Sequence, residues 1–137
     1  MIKLSTSTRS AIATLIKSSI DTAITAGAVH FYTDSPPTVT GGAITTQVLI
    51  ATCPLSKPCG TVTNGLLTFD VVTDDLVADN SGTIGFGRVV DGDGVFVFDA
   101  DAGLTSSTTA FFRFVSLAAV AGGTVKINTM TFGVGSN

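Results

Sequence analysis

No glutamate and no tryptophan occur in this chain, and histidine and tyrosine appear once each. Each gap removes a class of chemistry. Without Glu, the bidentate glutamate that closes a helix–loop–helix calcium loop is missing. Asp91 and Asp93 in DGDG (91–94) therefore read as a hairpin turn first and a cation site second. Without Trp and with a single Tyr, an aromatic platform for sugars is poorly supplied. Two cysteines and one distant histidine make a poor zinc set. Seven Lys plus Arg, scattered from Lys3 to Lys126, oppose ten acids that are all Asp. The resulting charge of −3 argues against nucleic-acid binding, which needs clustered bases. No apolar run approaches the roughly 18–20 residues that span a bilayer as a helix. No cofactor, nucleic-acid or membrane partner is expected.

What is present is apolar and small. The 137 residues suit one domain, 1–137, with a real core. Only 12% of them are charged, against about a quarter in ordinary soluble domains, so the surface is short of solubilising groups. A domain of this kind is expected to hide part of its exterior against neighbouring subunits, most simply as a homotrimer or another homo-oligomer. The N-terminal stretch MIKLSTSTRSAIATLIKSSIDTAITAG has the early positive charge of a signal peptide. Arg9, Lys17 and Asp21 interrupt its apolar run, so it reads as part of the mature chain, kept in the cytoplasm until assembly.

Ile12, Leu15, Ile16, Ile20, Ala23 and Ile24 recur at spacings of three and four, which predicts an amphipathic helix over 7–26. Ser5 to Ser7 offer N-caps and Gly27 a C-cap, while Lys17 and Asp21 form a weak solvated pair. From 28 to 134 the pattern is β. VHFYT (29–33), AITTQVLIATC (43–53), LLTFDVVT (66–73), TIGFGRVV (83–90), VFVFDA (95–100), AFFRFVSLA (110–118) and TVKINTMTFGV (124–134) read as strands. Turn-rich segments such as DSPPTVTGG (34–42), PLSKPCGTVTNG (54–65) and DDLVADNSG (74–82) separate them. Seven or so strands at these spacings predict a mainly β fold, an antiparallel sandwich or jelly-roll-like barrel with one N-terminal helix.

Few residues invite a chemical role. Cys53 and Cys59 are spaced to permit a disulfide, although reduced, semi-buried thiols are the leading reading for a chain assembled in a reducing compartment. Asp74, Asp75 and Asp79 form an acidic patch read as solvated loop, with a divalent ion between subunits as the alternative. His30 has no nucleophile or orienting group nominated beside it, so it reads as a strand residue. Gly85 and Gly87 lie within a strand, where they relieve crowding or mark a bulge rather than cradle phosphate. Arg88 and Arg113 stand in apolar strands, where each is a candidate for an intersubunit ion pair with an Asp or for a sheet-edge arginine. No catalytic set emerges. The interface candidates are Ile12, Leu15, Ile16, Arg88, Phe111, Phe112, Arg113 and Phe114, the aromatic and arginine positions being the types that dominate interface energy.

Several segments keep a fixed order: LSTSTRSAIATLIKSSIDTAITAG (4–27), VHFYTDSPP (29–37), GGAITTQVLIATCPLSKPCG (41–60), GLLTFD (65–70), SGTIGFGRVVDGDGVFVFDADAG (81–103) and VAGGTVKINTMTFGV (120–134). That order resembles a family of small virion-associated structural proteins of tailed bacteriophages. The chain departs from the pattern where Gly87 separates Phe86 from Arg88 and where Cys53 and Cys59 replace apolar residues. The resemblance implies a non-enzymatic component of the virion, assembled in the host cytoplasm, whose partners are itself and the major capsid protein or other virion proteins. The leading expectation is a capsid decoration (cement) protein. A tail or fibre-network component is the alternative, and a carbohydrate-binding β-sandwich a more distant one.

Overall fold

Residues 2–135 are described by a computed structural model, which is mainly β with one N-terminal helix. Helix α1 spans Thr6–Ile20, with Ser5 as its N-cap; the Ser5 hydroxyl accepts a hydrogen bond from the Thr8 amide at 3.1 Å. The helix stops six residues short of the expected end, for a local reason. The Asp21 carboxylate accepts from the Cys59 amide at 3.0 Å and pairs with Lys17 at 2.9 Å. The Lys57 ammonium donates to the carbonyls of Asp21 and Ala23. A cation at the carbonyl end of a helix stabilises that terminus, so the 57–59 loop serves as the cap expected of Gly27. Gly27 itself lies so close to the Val90 carbonyl that a Cβ there would collide with it. The Lys17–Asp21 pair, expected to be solvated, is thus part of a three-way junction in which the Asp21 side chain is largely buried.

The larger sheet has the order β2-β1-β5-β6-β7, formed by Ala28–Thr33 (β1), Leu49–Pro54 (β2), Gly82–Val90 (β5), Phe96–Leu104 (β6) and Phe112–Phe114 (β7). A two-residue strand, Ala118–Ala119 (β8), pairs with the start of β5. A smaller sheet has the order β3-β4-β9, from Gly60–Thr63, Leu66–Phe69 and Thr131–Gly133. β6 and β7 are parallel, so the larger sheet is mixed and corrects the expectation of an all-antiparallel one. The DGDG hairpin forms as expected: β5 and β6 pair antiparallel, and the Asp91 side chain accepts from the amides of Asp93 and Val95 within the turn.

Other boundaries move. Residues 43–48 are not strand; they continue the 34–48 loop across the sheet. Residues 60–63, expected to be loop, form β3. Asn64 and Gly65, at φ 52° and 83°, supply the left-handed pair of a tight hairpin turn between β3 and β4. The strand expected over 124–134 shrinks to β9, because Val125 and Thr129 make single bridges to Asp75 and Arg113.

These bridges curl the large sheet. The 73–80 segment lies along the β2 edge, with Thr73 donating to the Pro54 carbonyl and Asp79 to that of Ile50. Residues 128–129 lie along β7, where Asn128 donates to the Arg113 carbonyl and Arg113 to that of Thr129. Since Asp75 also bridges Val125, the segments covering opposite edges meet and both edges are masked. Inside lie Val29, Phe31, Ile50, Cys53, Leu67, Val89, Phe112, Phe114, Val125 and Met130, in one cluster that also takes Ala13 and Ile20 from α1. The Phe31 ring meets Phe112 and Phe114 edge to face at 5.1 and 5.0 Å. Gly87 makes this possible: a Cβ there would lie 2.6 Å from the Phe112 ring and 2.8 Å from that of Phe31. The reading of Gly87 as relief from crowding matches this packing.

Candidate interaction surface

Strand β5 places Phe86 and Arg88 on the outer face of the large sheet. There the cross-strand neighbours of Arg88 are His30 on β1 and Asp99 on β6. Arg88 is a forked partner of Asp99, with Nε to Oδ1 at 2.7 Å and Nη2 to Oδ2 at 2.8 Å; Nη1 donates to the Gly42 carbonyl at 2.9 Å. Its guanidinium carbon lies 5.0 Å from the centre of the Phe96 ring. Only 9% of the residue is exposed. The Asp expected across a subunit boundary is therefore found within the chain, which withdraws Arg88 from the interface candidates. The paired carboxylate raises the Arg88 pKa against the opposing effect of burial. His30 is half-buried, and burial first and the Arg88 charge second lower its pKa. Tyr32 stacks on Phe86 at 5.3 Å and its phenol pKa is raised, chiefly by burial.

The aromatic cluster divides. Phe112 and Phe114 are 0% and 2% exposed, so they belong to the core, which corrects their reading as contact residues. Phe111 is half-buried against Phe98 and Phe112, at 5.4 and 4.8 Å. Arg113 points to the opposite face, as strand alternation requires. It borders a cleft of about 470 Å³ lined by Thr109, Phe111, Thr129, Thr131 and Phe132. Its Nε donates to the Ala110 carbonyl at 3.2 Å; its two terminal nitrogens have no hydrogen bond or ion pair among the described residues.

The helix stripe is also split. Ile20 and Ala13 are buried and Ile12 and Ile16 half-buried, but Leu15 is 66% exposed, contrary to its expected place in the packed stripe. Leu15 stays a contact candidate only toward another molecule. It is one of several large apolar side chains left in solvent, with Ile24 at 95%, Val71, Leu76, Val77, Val95, Val115 and Val120. A second opening, a groove of about 820 Å³, separates residues 69–74 from 126–130. The two lips are joined at either end by the Thr68–Thr131 pair and the Asp75–Val125 bridge, and Lys126 reaches Asp74 only at 3.9 Å.

The remaining candidates have structural partners. Cys53 and Cys59 are free, buried thiols; burial pushes their pKa values up to about 11 and about 12, away from the reactive thiolate. The Asp75 carboxylate accepts from the amides of Thr52 and Val77, so it serves the β2 edge rather than a patch with Asp74 and Asp79. Among the described residues no three His, Cys or Asp side chains converge as a metal site, and no helix is long and apolar enough to cross a membrane. Among the described residues the surface thus offers a guanidinium with two unpartnered terminal nitrogens in a cleft lined by Phe111 and Phe132, and an exposed apolar set. Sequence reasoning missed the β3–β4 hairpin, for which Asn64-Gly65 was a visible signal, and the Arg88–Asp99 pairing, which depends on register. Comparison with known families, with characterised proteins and with solved structures finds no match to this chain.

Proposed function

We propose that this chain is a structural subunit of a tailed-bacteriophage virion, and specifically a decoration protein that clusters, as a trimer, over the junctions of an assembled capsid. The observation that carries the reading is the exposed apolar set on a charge-poor surface: Leu15, Ile24, Val71, Leu76, Val77 and Val120 are each more than 60% exposed. Such surface is costly in water and is relieved by contact with other subunits. The sequence resemblance supplies the biological setting. In this reading the curled sheet and the smaller sheet act as the two leaves of a sandwich-like scaffold, with the contacts made by loops, cleft and helix.

The mechanism is thermodynamic. A protein that binds the assembled lattice and not loose subunits stabilises the lattice by mass action, by about 2.7 kcal/mol per site at a hundredfold excess over Kd. Particles made without the protein are expected to assemble, then release DNA at lower temperature or lower salt, and to regain resistance when purified protein is added back. Particles with unchanged heat resistance but lost adsorption to the host would replace this reading with a tail component.

A further inference from the structure

We propose that the Arg113 cleft receives the DGDG hairpin tip of a second copy of this chain, with Asp93 of that copy pairing with Arg113. This deepens the structural-subunit reading and rests on it for its biological meaning. The argument starts from charge. Of the three arginines, Arg88 is held by Asp99, and Arg9 lies over the β3–β4 turn with a bond to the Thr6 hydroxyl. Arg113 alone presents two terminal nitrogens with no protein partner among the described residues. It does so in a cleft whose walls include the rings of Phe111 and Phe132. A forked donor in a cleft lined by Phe111 and Phe132 suits a carboxylate on a short stem flanked by apolar atoms.

The hairpin tip has that chemistry. Asp91 folds the turn inward by accepting the Asp93 and Val95 amides, which leaves the exposed Asp93 carboxylate without a hydrogen bond among the described residues. Beside it, Val95 is 61% exposed and Gly94 has open space around it. The other exposed acids are less suited. Asp34 and Asp101 accept hydrogen bonds from Thr33 and from the Phe111 amide. Asp70 and Asp79 carry carboxylates equally free of hydrogen bonds among the described residues, but on segments whose amides bond the Cys59 and Ile50 carbonyls rather than at the tip of a two-stranded hairpin.

Tip and cleft lie at opposite ends of one strand. β6 begins at Phe96, just after the tip, and Gly103 near its end is the register partner of Arg113. At about 3.3 Å per residue they are roughly 23 Å apart, so a chain cannot satisfy its own cleft. The contact is therefore between copies: made reciprocally it closes a two-fold dimer, and made head-to-tail it closes into a ring or propagates as a filament.

A charge swap tests this on the purified full chain by sedimentation over a dilution series. Wild type is expected to self-associate in a salt-sensitive manner. Asp93→Arg and Arg113→Asp are each expected to weaken association at least tenfold, and the double variant to restore it. Asp93→Asn, at an exposed turn position, gives a second test with little risk to the fold, and circular dichroism checks folding of every variant. A wild type that stays monomeric at high micromolar concentration overturns the proposal. So do single variants that associate normally, or a loss with Arg113→Asp but none at Asp93, which would assign the cleft to a different acidic residue of the second copy. Failure of the virion reading looks different: the swap result would hold while particles without the protein kept their heat resistance.

Discussion

The two faces of the large sheet are built from the same strands and are stabilised by different physics. Successive residues of β1 and β5 point alternately inward and outward, so Val29, Phe31, Gly87 and Val89 face the core. His30, Tyr32, Phe86 and Arg88 share the outer face, where Arg88 reaches the Gly42 carbonyl of the 34–48 loop. Inside, edge-to-face rings and aliphatic side chains pack without a charge. Outside, a forked ion pair, a stacked Tyr–Phe pair and one carbonyl from the loop hold a second, smaller buried layer. The inner face loses stability in proportion to the volume removed, whereas the outer face tolerates no loss of a single partner. A shape-dependent core gives a graded response to substitution; a charge-dependent one fails when one member is removed and recovers when both are.

The largest expected effect lies on the inner face. Phe112→Ala removes a ring that touches Phe31 and Phe111, and should cost about 3–5 kcal/mol, read as a fall in the denaturant midpoint. A cost below about 1 kcal/mol would mean that Phe112 is not a core residue and would return it to the contact surface. On the outer face, Asp99→Ala leaves Arg88 largely buried and unpaired and should cost about 3 kcal/mol, whereas Arg88→Met with Asp99→Leu should cost far less than the sum of the singles. If the double variant is as unstable as the sum, the outer layer depends on volume like the inner one and the contrast between the faces disappears.

This contrast also sets what was legible beforehand. The period-two pattern of VHFYT and TIGFGRVV, the DGDG turn and the Ser5 cap are local signals, and the elements they mark formed as expected. Alternation in FFRF sets Arg113 opposite Phe112 and Phe114, but it cannot say whether an apolar face meets its own core or a partner. Phe112 and Phe114 were thus assigned to the wrong side of the boundary. Arg88 invited an Asp, yet only the β5–β6 register identifies Asp99. The helix end and the broken strand at 124–134 were illegible because their bonds come from residues distant in sequence, Cys59 and Lys57 in one case and Arg113 and Asp75 in the other. The resemblance to phage structural proteins directed attention to contact surfaces, and the exposed apolar set gives that expectation specific residues to test.

A smaller effect sharpens the shape argument. Gly87→Ala places a methyl against the Phe31 and Phe112 rings and should cost about 1–3 kcal/mol by overpacking. Gly94→Ala, which meets no neighbour but carries a φ of 81°, should cost about 1 kcal/mol through backbone conformation alone. Equal melting temperatures for the two variants would remove the case that Gly87 is required by ring packing. At the low end, Leu15→Asp is exposed and should change stability by no more than about 0.5 kcal/mol, although it would weaken any partner contact through the helix.

The smallest expected effect depends on pH and belongs to the outer face. His30 faces Arg88 across the strand pair, with the Tyr32 ring 6.5 Å away and neutral Thr52 on the other flank; Asp99 offsets part of the arginine charge. Burial and Arg88 together hold the His30 pKa below 6.5 in the folded chain. Above pH 6.5 the imidazole is neutral in both states and has no linkage effect. As pH falls below that value the unfolded chain takes up the proton first, so stability declines until the pH drops below the lowered folded pKa, after which no further loss accrues. Melting temperatures measured between pH 8 and pH 4.5 should therefore fall more steeply for wild type than for His30→Gln, with the difference opening near pH 6.5. Parallel curves would show that His30 is hydrated and screened from Arg88. The outer layer would then be held by the Arg88–Asp99 fork, the Tyr32–Phe86 stack and the loop carbonyl, with no contribution from His30.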